Sequence, residues 1–249
     1  VPLFEVRGLA KSFGPKTVLG GVDLTIERGE FFTLIGESGC GKSVLLKHLI
    51  GLLTPDRGEV FFDGENVTAK GDVAFAAVRR RVGMLFQNSA LFDSMSVGDN
   101  VAYGLREQRL LPEDRIEERV AESLAHVQLP GIERMKPSDL SGGMRKRVAL
   151  ARAIAMRPEV VLYDEPTEGL DPINVTRVYR LLLSLKENLG ISTIVVTHNM
   201  ETAFHYSDRL AFMDKGVVTH VATPAEMRKE RDPALAPFVH ASVPAIQRG

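Results

Sequence analysis

Residues Gly36-Glu37-Ser38-Gly39-Cys40-Gly41-Lys42-Ser43 fit G-x-x-x-x-G-K-[ST], and the apolar run 31–35 stands directly before them. A strand feeding a glycine-rich loop that opens a helix restricts the chain to an α/β fold whose loop wraps a phosphate group. Gly36, Gly39 and Gly41 let the backbone curl with its N–H groups pointing inward. Lys42 is then placed to neutralise β/γ-phosphate oxygens and the Ser43 hydroxyl to bind Mg²⁺, with Glu37, Ser38 and Cys40 completing the nucleotide-holding loop. A second glycine-rich turn, Leu140-Ser141-Gly142-Gly143-Met144, opens another helix about a hundred residues later. It too offers backbone N–H groups and a positive helix end to an anion. Two such ends leave two arrangements open: one nucleotide clamped from both sides, or one end offered to a second copy.

Composition narrows the class of protein. At 249 residues and 27.4 kDa the chain can bury a large core. A net charge of -1 supplies no pull toward nucleic acid, so no nucleic-acid partner is expected. No apolar stretch approaches the roughly 18–20 residues that span a bilayer. No charged-then-apolar leader opens the chain, and the single cysteine suits a reducing compartment. A cytosolic protein is expected, with any membrane role supplied by a partner.

The expected fold is α/β. Alternation reads as strands at 3–7 and 22–27, with a turn at Gly14-Pro15. A helix is expected from 42 to 50, closed by Gly51, and strands at 59–63 and 82–86. From 89 to 156 the chain reads as helical, with Ile116, Val120, Leu124 and Val127 at helical spacing. Runs 160–163 and 193–196 suit buried parallel strands. Between them Val178, Leu181, Leu182, Leu185 and Leu189 mark an amphipathic helix ended by Gly190, and 209–213 with 217–221 suggest a last strand pair. This is a P-loop NTPase core, a mixed and mainly parallel sheet with an antiparallel β edge, carrying an α-helical insertion. One domain is expected over 1–249, with 1–88 and 157–249 as the nucleotide core and 89–156, which carries the second glycine-rich turn, as a helical subdomain.

Further candidates follow from placement. The apolar strand at 160–163 ends in Asp164-Glu165. Asp164 would hold Mg²⁺ through its water shell, and Glu165 would polarise the attacking water. His198 follows the strand at 193–197, on the edge where open parallel sheets bind ligands. His48, His126, His205, His220 and His240 lack such placement and read as surface or packing residues. Cys40 reads as a small filler whose position near a helix N-terminus would lower its thiol pKa.

The phosphate loop and the Leu140–Met144 turn together resemble the ATP-binding-cassette ATPases, in which that turn is the family signature; the resemblance covers nearly the whole chain. It implies that Gln87, directly after a strand, is the glutamine that touches Mg²⁺ and the attacking water. It implies that His198 links the γ-phosphate to the catalytic region and that Phe13 stacks on adenine. Pro166 and Gly169-Leu170-Asp171-Pro172 resemble the loop that contacts an opposing subunit, although Glu168 replaces a usual small residue. Ser141, Gly142 and Gly143 would bind a γ-phosphate through hydroxyl and amides. The cofactors implied are ATP and Mg²⁺. The partners implied are a second copy, docked head to tail, and an integral membrane permease that places the chain at the cytoplasmic face of the inner membrane.

Met144 stands where the family most often has glutamine. With the segments 83–95 and 99–107 and the valine after Ser43, it is similar to the Mla/Mce-type lipid-transport ATPases. That implies phospholipid or related lipid as cargo and an Mce-domain substrate-binding protein in the same complex. An ATPase subunit of an importer or exporter for another solute is the alternative, and a soluble ATP-driven switch acting on nucleic acid or ribosomes a more distant one. The apolar residues Phe92, Met95, Val97 and Tyr103 are expected to dock a short permease helix.

Overall fold

The computed structural model describes residues 1–86 and 89–241. The chain begins with β1 (Phe4–Phe13), β2 (Lys16–Ile26), β3 (Phe31–Gly36), α1 (Lys42–Leu49), β4 (Arg57–Phe62), β5 (Glu65–Asn66), α2 (Val67–Lys70) and α3 (Asp72–Arg81). It continues through β6 (Val82–Leu85), α4 (Val97–Glu107), α5 (Glu113–His126), α6 (Gly142–Ala155), β7 (Val160–Asp164) and α7 (Pro172–Leu189). β8 (Ser192–Val196), α8 (Met200–Tyr206), β9 (Arg209–Asp214), β10 (Val217–Ala222), α9 (Pro224–Met227) and α10 (Ala236–Ala241) complete it. The elements divide between two compact units, one made of Val1–Arg79 with the chain from Ser192 onward, the other of Arg80–Ile191.

In the first unit, β2, β1, β4 and β5 form an antiparallel sheet. β3 pairs in parallel with β8, from Phe31↔Thr193 to Leu34↔Val196, and with β9, from Phe32↔Arg209 to Gly36↔Met213. β10 adds an antiparallel edge to β9. Every residue of β3 is buried, as its mainly apolar sequence requires of a strand covered on both faces. Polar ties fix its first half: the Phe31 N–H donates to Asp208 Oδ2 at 2.6 Å and the Ser207 hydroxyl to Thr33 Oγ1 at 2.7 Å. After β10 the chain packs back on the core, with Met227 and Leu235 buried among Ile35, Phe204, Leu210 and Phe212.

The first strand reaches Phe13, well past the expected end at residue 7. Register shifts between Val6 and Leu9, Leu9 and Ala10, and Lys11 and Ser12 break the two-residue alternation that strand reading depends on. α3 and α8, absent from the sequence reading, are short elements whose burial comes from distant neighbours.

The second unit holds the parallel pair β6–β7, from Val82↔Val160 to Leu85↔Tyr163. α4 starts where the Ser96 hydroxyl accepts from the Asp99 N–H and buries Val97, Val101, Ala102 and Leu105. α5 buries Ile116, Val120 and Leu124, the residues whose spacing announced it. α7 is capped by Asp171, which accepts from the N–H groups of Ile173 and Asn174, each at 3.0 Å. Gly190 ends it in the left-handed region, at φ 67°.

Candidate functional site

The phosphate loop leaves the C-terminal end of β3 in the first unit. Gly36 sits at φ 151°, and a Cβ there would lie 2.2 Å from the Met213 carbonyl oxygen, so the adjacent strand β9 excludes any larger residue. Gly41, at φ 113°, is the N-cap of α1 and offers no capping side chain. The first amides of α1 therefore keep their donors for an anion, whereas α2, α4, α6, α7 and α8 each have a side-chain cap. Lys42 is buried, and its Nζ donates to the carbonyls of Gly36 at 2.8 Å and Glu37 at 2.7 Å. The ammonium is thereby held over the loop. Gly39, Gly41, Lys42 and Ser43 line a cavity of about 130 Å³ together with Val18 and Val44. Glu37 and Ser38 are exposed on the same turn.

Cys40 corrects the sequence expectation. Its thiol is half-buried, and burial pushes its pKa up, outweighing the lowering influence of Lys42, whose Nζ lies 3.8 Å from the sulfur. The helix end does not win here, because desolvation of a thiolate costs more than a partial charge returns. Alkylation of Cys40 by iodoacetamide near pH 8 should be slower than that of an unstructured cysteine peptide, since less thiolate is present below a raised pKa. A faster rate, measured by mass spectrometry over time, would contradict this.

His198 is exposed two residues beyond the end of β8, which runs beside β3. Its neighbours hold the turn: Thr197 Oγ1 accepts from the Asn199 N–H at 3.0 Å, and Asn199 Oδ1 caps α8 through the Thr202 N–H at 3.1 Å. Sequence reasoning passed over these two residues, although asparagine is among the favoured helix N-cap residues. Phe13 ends β1 with 47% of its surface exposed, so it is no core residue, and Lys11 Nζ lies 5.7 Å from its ring centroid.

In the second unit Asp164 is the buried last residue of β7. Glu165 follows at φ 50°, a conformation that costs a non-glycine residue about 1–3 kcal/mol and collects at functional sites. Gln87 lies outside the described residues. Ser141 is the N-cap of α6, its hydroxyl accepting from the Met144 N–H at 3.3 Å, and Ser141 and Gly142 are exposed. Gly143 is buried, with room beside it for the Asn174 side chain and little more: a Cβ would meet it at 3.3 Å.

Two of the three basic residues after the signature, Lys146 and Arg147, reach away from the start of α6, where a cation is disfavoured. Lys146 Nζ donates to the Glu168 carbonyl at 2.6 Å, and Arg147 Nη1 to those of Val127 and Gln128, each at 3.2 Å. Arg147 thus sits at the C-terminal end of α5, where a cation is favoured.

Of the expected docking residues, Val97 is fully buried and belongs to the core. Phe92 and Tyr103 are 41% and 37% exposed, with ring centroids 4.8 Å apart. The buried side chain of Asn100 holds the Phe92 backbone on both sides, accepting its N–H at 2.8 Å and donating to its carbonyl at 3.1 Å.

The residues present fit a nucleoside triphosphate with its magnesium ion. The uncapped α1 terminus and held ammonium suit phosphate, and the Ser43 hydroxyl on the same helix is a hard oxygen donor of the kind magnesium takes. Among the described residues no group of three or more His, Cys, Asp or Glu could hold a metal by itself.

Residues 19–168 match the family model for ABC transporters. The sulfate/thiosulfate import ATP-binding protein CysA of Xylella fastidiosa (strain 9a5c) is 43% identical over 98% of the chain and 69% of that protein. The intermembrane phospholipid transport system ATP-binding protein MlaF of Escherichia coli (strain K12) is 38% identical over 95% of the chain and 88% of that protein. A solved dimeric ATP-binding cassette, bound to ADP and Pi after hydrolysis, superposes with a TM-score of 0.81 at 30% identity, covering 89% of this chain and 98% of that one. Since the matched segment contains the phosphate loop, the signature turn and the acid pair, the chain belongs to the ABC transporter family, as an ATPase subunit that hydrolyses ATP with Mg²⁺.

Proposed function

We propose that this ATPase drives a transporter of phospholipid or a related lipid through the cell envelope. The observation that carries the reading is Met144 in the signature turn, together with the segments 83–95 and 99–107 and the valine after Ser43, which resemble Mla/Mce-type ATPases. Length supports it, because the MlaF relative is matched over 88% of its extent and the sulfate importer over 69%. The higher identity to that importer, 43% against 38%, favours a second reading, an ATPase serving uptake of another solute. Purification with its permease, followed by mass spectrometry of bound lipid, tests the choice. Co-purified phospholipid together with an Mce-domain protein supports the first reading; a lipid-free complex that binds sulfate supports the second.

Mg²⁺ supplies charge neutralisation on the β- and γ-phosphates when bound. The protein would contribute the remainder: Lys42 and the loop amides of 36–43 would orient the phosphates, Ser43 and Asp164 would hold the ion, and Glu165 would polarise the attacking water as its general base. Gln87 and His198 position that water and the γ-phosphate, and Phe13 stacks on the base. Within the cassette, 1–88 and 157–249 serve as the nucleotide core and 89–156 as the helical signature subdomain.

Two copies would join head to tail, each signature turn completing the phosphate loop of its partner; the dimeric state of the solved relative supports this. Mixed dimers of Ser141→Arg with Lys42→Ala should keep one intact site, because both lesions fall in the same pocket. Nucleotide occupancy, measured by filter binding, should be near one per mixed dimer; none at all would refute the shared arrangement.

The Phe92–Tyr103 pair would receive a permease helix at the cytoplasmic face of the inner membrane. Among the described residues no helix is long and apolar enough to cross a membrane, so attachment falls to such a contact. Phe92→Asp should abolish co-purification with the permease while nucleotide affinity is retained. Normal assembly and transport would move the docking surface elsewhere, and loss of folding would make Phe92 a packing residue.

A further inference from the structure

α7 carries Ile173, Thr176, Arg177 and Arg180 at spacings of three and four residues, which brings them to one face. With Gln128 they line a cavity of about 350 Å³. The lining holds two guanidinium groups, an amide, a hydroxyl and an apolar side chain, and no carboxylate. Arg147 adds a third guanidinium beside it. This residue is 9% exposed, its Nη1 is committed to the carbonyls of Val127 and Gln128, and its Nε is buried with no acceptor. Besides burial, the charge of Arg177 disfavours the Arg147 cation, so the guanidiniums repel one another.

Several other arginines of this unit find carboxylates, among them Arg81 with Glu159, Arg106 with Asp99 and Arg119 with Glu122, whereas Arg152 bonds to the carbonyls of Ser89 and Ala90. Among the described residues Arg147, Arg177 and Arg180 make no ion pair, and Arg177 has only a long hydrogen bond, 3.4 Å, to Asn174 Oδ1. Concentrating like charge without a counter-ion is costly, and an anion in the cavity would offset it for Arg177 and Arg180 and, through them, for the neighbouring Arg147.

We propose that this cavity binds a phosphate group, gripped by the forks of Arg177 and Arg180 and by the Gln128 amide. Paired guanidiniums present parallel N–H donors that match phosphate oxygens, which a single ammonium does not. The Thr176 hydroxyl donates to the Pro172 carbonyl at 3.1 Å, so it lines the site without donating to the ligand. Ile173, 74% exposed, borders the cavity and suits an ester carrying an apolar portion. No residue of this lining belongs to the phosphate loop, the signature turn or the acid pair.

The test uses the full chain with its phosphate loop saturated by Mg²⁺ and a non-hydrolysable ATP analogue. Inorganic phosphate is titrated by calorimetry, and phosphatidylcholine vesicles with and without phosphatidylglycerol are sedimented in parallel. One further phosphate should bind per chain. The Arg177→Gln/Arg180→Gln variant should weaken it at least about tenfold without changing analogue affinity or unfolding midpoint, and the double lysine variant should recover only part of it. If the double variant loses analogue affinity, Arg180→Gln alone carries the same comparison. Vesicle binding that requires both arginines and is competed by phosphate identifies a lipid headgroup; phosphate binding without vesicle binding identifies a free phosphate compound. Absence of both in the wild type, or equal binding by the glutamine variants, overturns the proposal.

Discussion

Glu165→Gln is expected to lower ATP turnover at least about a hundredfold while leaving nucleotide affinity nearly unchanged, the range that a positioned general base contributes. Glutamine has the same shape but cannot take a proton from water. Asp164, one residue earlier on β7, is left in place as the buried acid. The backbone at residue 165 stands at φ 50°, strained for either side chain, so the exchange does not relax the turn. With binding intact and turnover blocked, the ATP-bound dimer should accumulate and elute earlier in size-exclusion chromatography. Hydrolysis at the wild-type rate would remove Glu165 from the reaction, and loss of binding would make it a structural residue of the loop.

Lys42→Ala should act at the preceding step. The ammonium is buried and spans the Gly36 and Glu37 carbonyls at 2.8 and 2.7 Å, so it is already positioned before a phosphate arrives. Removing it deletes charge-assisted hydrogen bonds to the triphosphate, and a loss of about 10- to 100-fold in affinity, about 1.4–2.8 kcal/mol, is expected. Nucleotide stabilises the folded state in proportion to the logarithm of its saturation, so the rise in unfolding temperature on adding ATP should shrink accordingly. An undiminished rise would show that the loop binds phosphate without its lysine.

What was legible in the sequence was what neighbouring residues decide among themselves. The phosphate loop is a contiguous string, and its glycines, lysine and serine state their chemistry without reference to the remaining chain. α5 and α7 announced themselves because Ile116, Val120 and Leu124, and Val178, Leu181, Leu182 and Leu185, recur at helical period and end up buried. Gly190 marked the end of α7 for an equally local reason, the left-handed backbone that glycine tolerates.

Tertiary structure decided the rest, because those outcomes depend on atoms far away in the chain. The extent of β1 is set by bulges against β2 and β4, which no alternation pattern encodes. Cys40 has a raised thiol pKa because of how deeply the loop is packed, although its place beside a helix start suggested the opposite. Val97 and Phe92 look alike as apolar residues of one segment. The fold buries the first and, through Asn100, pins the backbone of the second so that its ring stays exposed. Likewise nothing in the sequence pairs Lys146 and Arg147, near the start of α6, with the carbonyls of Glu168, Val127 and Gln128 that folding brings within hydrogen-bond reach. Sequence alone determined the phosphate chemistry, since its groups lie within eight consecutive residues. Folding determined which side chains remain exposed and which charges find partners, because desolvation and hydrogen-bond geometry are properties of the packed chain.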